Sequence, residues 1–335
     1  MLNMNSLLEA NKPVAFFFNG IGDHVLNLPA LRALAKAFKG RLTLLYVSAK
    51  QEFFFRGLPD ACHIPIDLRF GTSGRRRTFD AQKVADQITG CDLFISLVPW
   101  ISQSLIELLD KLKPEVSLGF FPNYSLHLPL DFNKHSADLA FDIVQRITPN
   151  YKFEDFAQPP IYPEEEREKT RRIKELLPRG TRVLAVHDDT DPSKMWDAAS
   201  LARALDLFLD EHRDFVALMI GSSDCSLEAG IHEDRIIPCG GLSLANSCCL
   251  VSSADLFLGV DSCMLHVADF SRVPGVGLFG PTQSYEFGFR VGPNITIQAN
   301  ESLSEIQPEQ VYLALESLLA EPAQSSLWYC SKPAA

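Results

Sequence analysis

An acid, a hydroxyl and an imidazole stand within about one helical turn of each other in the stretch DSCMLHVA, residues 261–268. Asp261 ends the apolar run ADLFLGV, Ser262 is placed to cap a helix opening near Cys263, and His266 follows one turn later. A helix start needs a single cap, so three polar groups there point to a ligand. The free amides of a first turn carry the positive end of the helix dipole and suit a phosphate. His266 also reads as a core histidine bonded to a backbone carbonyl.

Three other stretches carry similar groups. In NGIGDHVLNLPALRAL, Gly20 and Gly22 bracket a tight strand-to-helix turn, where glycine permits a positive φ or a ligand close to the backbone. Asp23 reads equally as the helix cap and as a general base. The spacing is not GxGxxG, so a dinucleotide fingerprint is absent. In VHDDTDPSKMW, residues 186–196, Lys194 is either an exposed loop lysine or a neutralising partner for phosphate, with Thr190 beside it. Trp196 reads as a packing residue. Asp188, Asp189 and Asp191 would repel a diphosphate unless a cation intervened. Mg²⁺ could use their oxygens, but the spacing matches no known metal loop, so no metal is expected. In LFGPT, residues 278–282, Thr282 ends the next strand and can reach the same ligand. Arg75, Arg76 and Arg77 form a local basic cluster that is either a solvated loop or a contact for an anionic acceptor or lipid head group.

The elements that must hold these residues alternate between strand and helix. VAFFFNG, RLTLLYVS, CDLFISLV and VSLGFF read as strands, separated by helical patterns. The second half repeats the rhythm with RVLAVHD, FVALMIG, RIIPCGG, LFLGVDS and GVGLFGPT. This predicts an α/β protein with two Rossmann-like domains facing each other across a cleft, with ligands at the strand C-terminal ends. The expected domains are 1–155 and 165–325, joined through YKFEDFAQPPIYPEEE. A closing helix at 307–320 is free to pack back on the first domain, and the tail QSSLWYCSKPAA reads as loosely attached.

The 335 residues suit two domains rather than one core. The longest apolar opening run is far too short for a membrane span, and no basic region precedes it, so a cytoplasmic location is expected. A net charge of −11 argues against nucleic acid and allows at most peripheral membrane contact. The eight cysteines include no CxxC pair, so reduced and mostly buried thiols are expected in place of disulfides or zinc.

Taken together, these residues resemble glycosyltransferase family 9, the ADP-heptose:lipopolysaccharide heptosyltransferases, over nearly the whole chain. GIGDHVLNLPALRAL is similar to the family's GDxxLxxPALxAL element. SLANSCCLVSSADLFLGVDSCMLHVADFSRVPGVGLFGPT resembles its DSG-containing block, and VHDDTDPSKMWDAASLARAL its HPG-containing segment. The resemblance implies a GT-B fold and inverting, metal-independent transfer from a nucleotide-sugar, with no cofactor. It implies Asp23 as the base, Lys194 at the departing diphosphate and Asp261 at sugar hydroxyls. It further implies Ser262, the Cys263 amide and His266 at the diphosphate, with Gly22, Thr190 and Thr282 completing the donor contacts. The acceptor would be a glycan, a lipid core or a natural product, and the acidic balance favours a soluble or less anionic one. Asp188-Asp189 replaces the family's Pro-Gly, Cys263 replaces the glycine of DSG, and Ser222, Ser223, Asp224 and Glu228 stand where an acidic ribose contact is usual. These departures leave a catalytically inactive GT-B binding or assembly protein as the alternative, and a nucleotide-sugar epimerase as a weaker one.

Overall fold

The computed structural model describes residues 7–17, 20–47, 49–58, 62–70, 77–221 and 231–320. The chain divides into two compact units, Met1–Ile161 and Tyr162–Ala335. Strands β1 (Pro13–Phe16), β2 (Thr43–Val47), β3 (Cys62–Ile66), β4 (Leu93–Ser96), β5 (Val116–Gly119) and β6 (Leu126–His127) build the sheet of the first unit. Strands β7 (Arg182–His187), β8 (Phe215–Gly221), β9 (Ile236–Gly240), β10 (Leu256–Val260), β11 (Gly275–Phe279) and β12 (Asn294–Gln298) build that of the second. Both sheets are parallel and six-stranded, in the orders β3-β2-β1-β4-β5-β6 and β9-β8-β7-β10-β11-β12. Right-handed crossovers put the helices before and after the reversal of such an order on opposite faces. The central strands are therefore covered on both sides. This is why β1, β4, β8, β10 and β11 are buried at every position and read as continuous apolar runs.

The helices are α1 (Ile21–Leu26), α2 (Leu28–Ala37), α3 (Ala81–Ala85), α4 (Gln103–Leu112) and α5 (Ser136–Ile147) in the first unit. In the second they are α6 (Glu164–Glu175), α7 (Ala198–Glu211), α8 (Leu244–Ser252), α9 (Cys263–Phe270), α10 (Ser284–Phe287) and α11 (Pro308–Ala320). Their starts follow ordinary capping chemistry. The Asp80, Ser102, Asp197 and Ser243 side chains accept from Lys83, Leu105, Ser200 and Asn246 N–H. The helical pattern over FDAQKVADQIT shrinks to α3, because Asp86–Gly90 turns the chain into β4, with Gly90 at φ +111°. The closing helix α11 packs on α7 and buries Val311, Ala314 and Leu315 in the core that holds Leu205 and Phe208. No described helix is long and apolar enough to cross a membrane.

Two polar clamps tie irregular segments to these layers. Asp269, 1% exposed, accepts from the N–H groups of Arg290, Val291 and Gly292 at 2.8, 2.8 and 2.7 Å, fixing the loop before β12 to the end of α9. Arg32 on α2 donates to the carbonyls of Phe156 at 3.1 Å, Pro159 at 2.7 Å and Gln158. Lys36, one turn on, stands over the Tyr151 and Phe156 rings at 5.3 and 5.5 Å. The last residues of the first unit are thereby bound to its second helix.

Candidate functional site

Strands β7, β10 and β11 are neighbours, with His187 paired to Gly259 and Val260 to Leu278. Parallel pairing sets their C-terminal ends at one sheet edge, so the loops at 188–195, 261–262 and 280–283 lie side by side. The middle loop supplies Asp261, only 6% exposed. Lys194 reaches across from the first loop and places Nζ 2.7 Å from Asp261 Oδ2. Thr190 Oγ1 stands 3.5 Å from the Asp261 carbonyl oxygen. The exposed-lysine reading of Lys194 thus gives way to a cation held against a buried carboxylate.

Ser262 occupies the N-cap position of α9 with extended backbone, φ −156° and ψ 171°, but its side chain makes no capping bond. The sequence reading gave it that bond. The hydroxyl is instead buried without a protein partner, as is that of Thr282 on the adjacent loop. An unmet buried hydroxyl costs roughly 1–3 kcal/mol, so a pair of them at one sheet edge makes this edge a candidate place for a polar ligand. Cys263 opens the helix, and its thiol lies near that of the fully buried Cys248 on α8. The side chain is thus turned toward α8, which explains how cysteine is accommodated where a glycine was expected. His266 lies one turn on from Ser262 and is 3% exposed. Gly280 leaves room for the neighbouring segment, since a Cβ there would meet the Leu303 nitrogen at 3.1 Å.

Two of the loop's aspartates serve its own folding. Asp191 accepts from Ser193 N–H at 3.0 Å and Ser193 Oγ at 2.7 Å, capping the 3₁₀ turn Pro192–Lys194 that carries the lysine. Asp188 accepts from Trp196 N–H at 2.9 Å, and Trp196 is buried in the core of the second unit. Among the described residues no group of three or more His, Cys, Asp or Glu gathers as a metal site. His187 is buried, with Nδ1 2.6 Å from the Ile220 carbonyl oxygen, and burial holds its imidazole below the usual histidine range.

Burial pushes the Asp188 carboxyl up to about 6, against the Trp196 N–H and helped by Asp189 and Asp197. Between the ordinary value of 3.8 and about 6, the native chain holds a proton that the unfolded chain has lost. Stability therefore falls as pH rises through this window. Asp188→Asn keeps an acceptor for Trp196 and removes the titration. We expect it to be more stable than wild type at pH 7 by about 1–3 kcal/mol, the upper figure holding where solvent screens the carboxyl least, with the difference vanishing below pH 4. Denaturant midpoints across pH 4–7 check this, and equal pH slopes in both proteins would refute it.

In the first unit, Gly20 is the N-cap of α1 and Asp23 is the third helical residue, so Asp23 is not the cap itself. Its Oδ2 accepts from the Gly20 N–H at 2.7 Å. Gly20 has φ −81°, so the turn needs no left-handed glycine. A Cβ on Gly20 would stand 3.3 Å from Asp23 Oδ2, and glycine leaves space for that carboxylate. Gly22 sits within the first turn of the helix. An open concavity of about 760 Å³ lies at the ends of β2 and β3, with Ile66, Leu68 and Phe79 on its floor and Asp67, Asp80 and Lys83 among its polar lining. Arg75 and Arg76 lie outside the described residues, as do 222–230 with the expected ribose contact and the tail beyond Ala320; Arg77 enters only as backbone paired with Phe70.

The model of glycosyltransferase family 9 (heptosyltransferase) matches residues 104–316. A glycosyl transferase family 9 protein from Veillonella parvula superposes with a TM-score of 0.73 at 22% identity, covering 92% of this chain and 97% of that one. The E. coli ADP-heptose LPS heptosyltransferase II gives 0.68 at 16% identity, covering 92% and 98%. The E. coli heptosyltransferase WaaC, solved with ADP, gives 0.64 at 15% identity, covering 92% and 99%. No curated protein matches the sequence. Two doubly wound units in these strand orders, with these likenesses, are the GT-B fold.

Proposed function

The chain belongs to glycosyltransferase family 9, and we propose that it moves a heptose from ADP-heptose to an acceptor hydroxyl with inversion at the anomeric carbon. The observation that carries this reading is the Lys194–Asp261 pair at 2.7 Å, beside a helix start whose Ser262 hydroxyl is buried without a protein partner. A cation, a first turn of free amides and an unmet hydroxyl at one sheet edge form a diphosphate cradle. The E. coli WaaC structure with ADP supports adenine as the base of the nucleotide.

In this mechanism the acceptor oxygen forms a bond to the anomeric carbon as the bond from that carbon to the diphosphate oxygen breaks. Asp23 takes the acceptor's proton. Lys194 meets the charge developing on the diphosphate, assisted by the Cys263 amide, Ser262, Thr282 and Thr190, while Asp261 orients sugar hydroxyls. His266 supports the cradle from within α9. Fixed donors aimed at the leaving group supply the larger part of the barrier lowering, and no metal ion is required. The concavity near Ile66 and Phe79 suits a glycan, lipid-core or natural-product acceptor that pairs an apolar body with polar groups.

Thermal unfolding with ADP, UDP, GDP and dTDP, each with and without Mg²⁺, tests the donor assignment. A ligand at 100 times its Kd stabilises by about 2.7 kcal/mol. ADP alone should raise the midpoint, equally with and without the metal. A shift with another nucleotide only, or with none, would overturn the assignment, and a shift that required Mg²⁺ would show that the aspartate loop holds a cation.

A further inference from the structure

His24 follows the proposed base directly and is completely buried. Its ring stands among Phe17, Phe54 and Phe55 at centroid distances of 5.6, 6.3 and 5.9 Å. Burial lowers its pKa to about 4, so the ring carries one proton at neutral pH. Nδ1 lies 2.8 Å from the Gly20 carbonyl oxygen, which can only accept, so that proton sits on Nδ1. Nε2 is buried with no protein partner, a penalty that a phenylalanine in the same aromatic box would avoid. The imidazole therefore has one polar task here, the bond to Gly20.

That bond matters because Gly20 joins two peptide groups with opposite duties. The peptide before its Cα gives the N–H that binds Asp23 Oδ2 at 2.7 Å. The peptide after it gives the carbonyl that His24 holds. Glycine has no side chain to fix its own dihedrals, and α1 is only six residues long. Asn27 restrains the other end, with Nδ2 2.7 Å from the Asp23 carbonyl oxygen.

We propose that His24 is a positioning residue for Asp23, holding Gly20 in the one conformation whose N–H fixes the Asp23 carboxylate. The functional half of this rests on Asp23 being the base. Three variants separate the possibilities. His24→Asn can set its amide nitrogen near the place of Nδ1, His24→Gln sets it further out, and His24→Phe fills the aromatic box without a donor. The readouts are ADP release from ADP-heptose with water in place of the acceptor, ADP affinity by calorimetry, and hydrogen exchange of the peptide holding residues 20–26.

His24→Phe and His24→Gln should lower turnover by about 10–100-fold, the scale of a misplaced reacting group, with the ADP Kd unchanged within about twofold. Exchange at Gly20 should rise at least about tenfold in both, the mark of a released local bond, and α2 should stay protected. His24→Asn should recover most of the turnover and the protection. If Gly20 exchange is unchanged in His24→Gln, or His24→Asn is no better than His24→Gln, the positioning role is wrong. Asp23→Asn, run in parallel, judges the base reading separately. Full turnover in Asp23→Asn would remove that reading, while the exchange data would still decide whether His24 holds Gly20.

Discussion

Asp23→Asn should lower sugar transfer by about 10²–10⁴-fold, the usual worth of a general base, and should leave ADP affinity within about twofold. The substitution is clean for a structural reason. Asp23 is the third residue of α1, and its Oδ2 accepts the Gly20 N–H. An asparagine carbonyl accepts the same bond, so the turn keeps that closure while the capacity to take a proton is lost. The Asn27 bond to the residue 23 carbonyl involves backbone and is untouched. Steady-state ADP release at saturating donor reads the loss directly. Retention of more than a tenth of wild-type turnover would exclude Asp23 as the base. A large fall in the unfolding midpoint would show instead that the carboxylate serves the fold.

Lys194→Met has a different signature. It should weaken ADP binding and lower kcat/KM by about 10²–10³, as expected when a preorganised partner of the leaving group is removed. It should also destabilise the second unit, because the Asp261 side chain is only 7% exposed and loses its cation at 2.7 Å. Breaking a fully buried pair costs about 3–5 kcal/mol and an exposed one under about 1. Lys194 is 29% exposed, so the effect should fall between these limits. Adding Asp261→Asn to Lys194→Met should restore the unfolding midpoint without restoring activity. Calorimetric ADP titration together with thermal unfolding separates the two roles. Wild-type ADP affinity in Lys194→Met would remove the lysine from the diphosphate site.

The sequence made the strands and their order of chemistry legible, because buried parallel strands are continuous apolar runs and their C-terminal ends carry the polar residues. Asp261, Lys194, Ser262 and Thr282 could be grouped on that basis before any distance was known. The direction of their side chains could not. The Lys194–Asp261 pair spans 67 residues and depends on the Asp191 cap of a short 3₁₀ turn. Ser262 has the residue type of a cap and the N-cap position, yet tertiary packing turns its hydroxyl elsewhere. Asp188 was legible as a carboxylate and not as the acceptor that closes the loop onto Trp196. His24 gave no signal in sequence, because a histidine inside an amphipathic pattern looks like any other polar position. Only the aromatic box and the Gly20 carbonyl distinguish it.

The Arg32 strap bears on how the protein can be cut in two. A first half ended at residue 155 would lose the carbonyls of Phe156, Gln158 and Pro159 that this guanidinium binds, and half the aromatic seat of Lys36. Ending it after Ile161 keeps them all. The extended, proline-rich run that looks like dispensable connector is part of the first half's own fold, and a stand-alone version of that half must carry it.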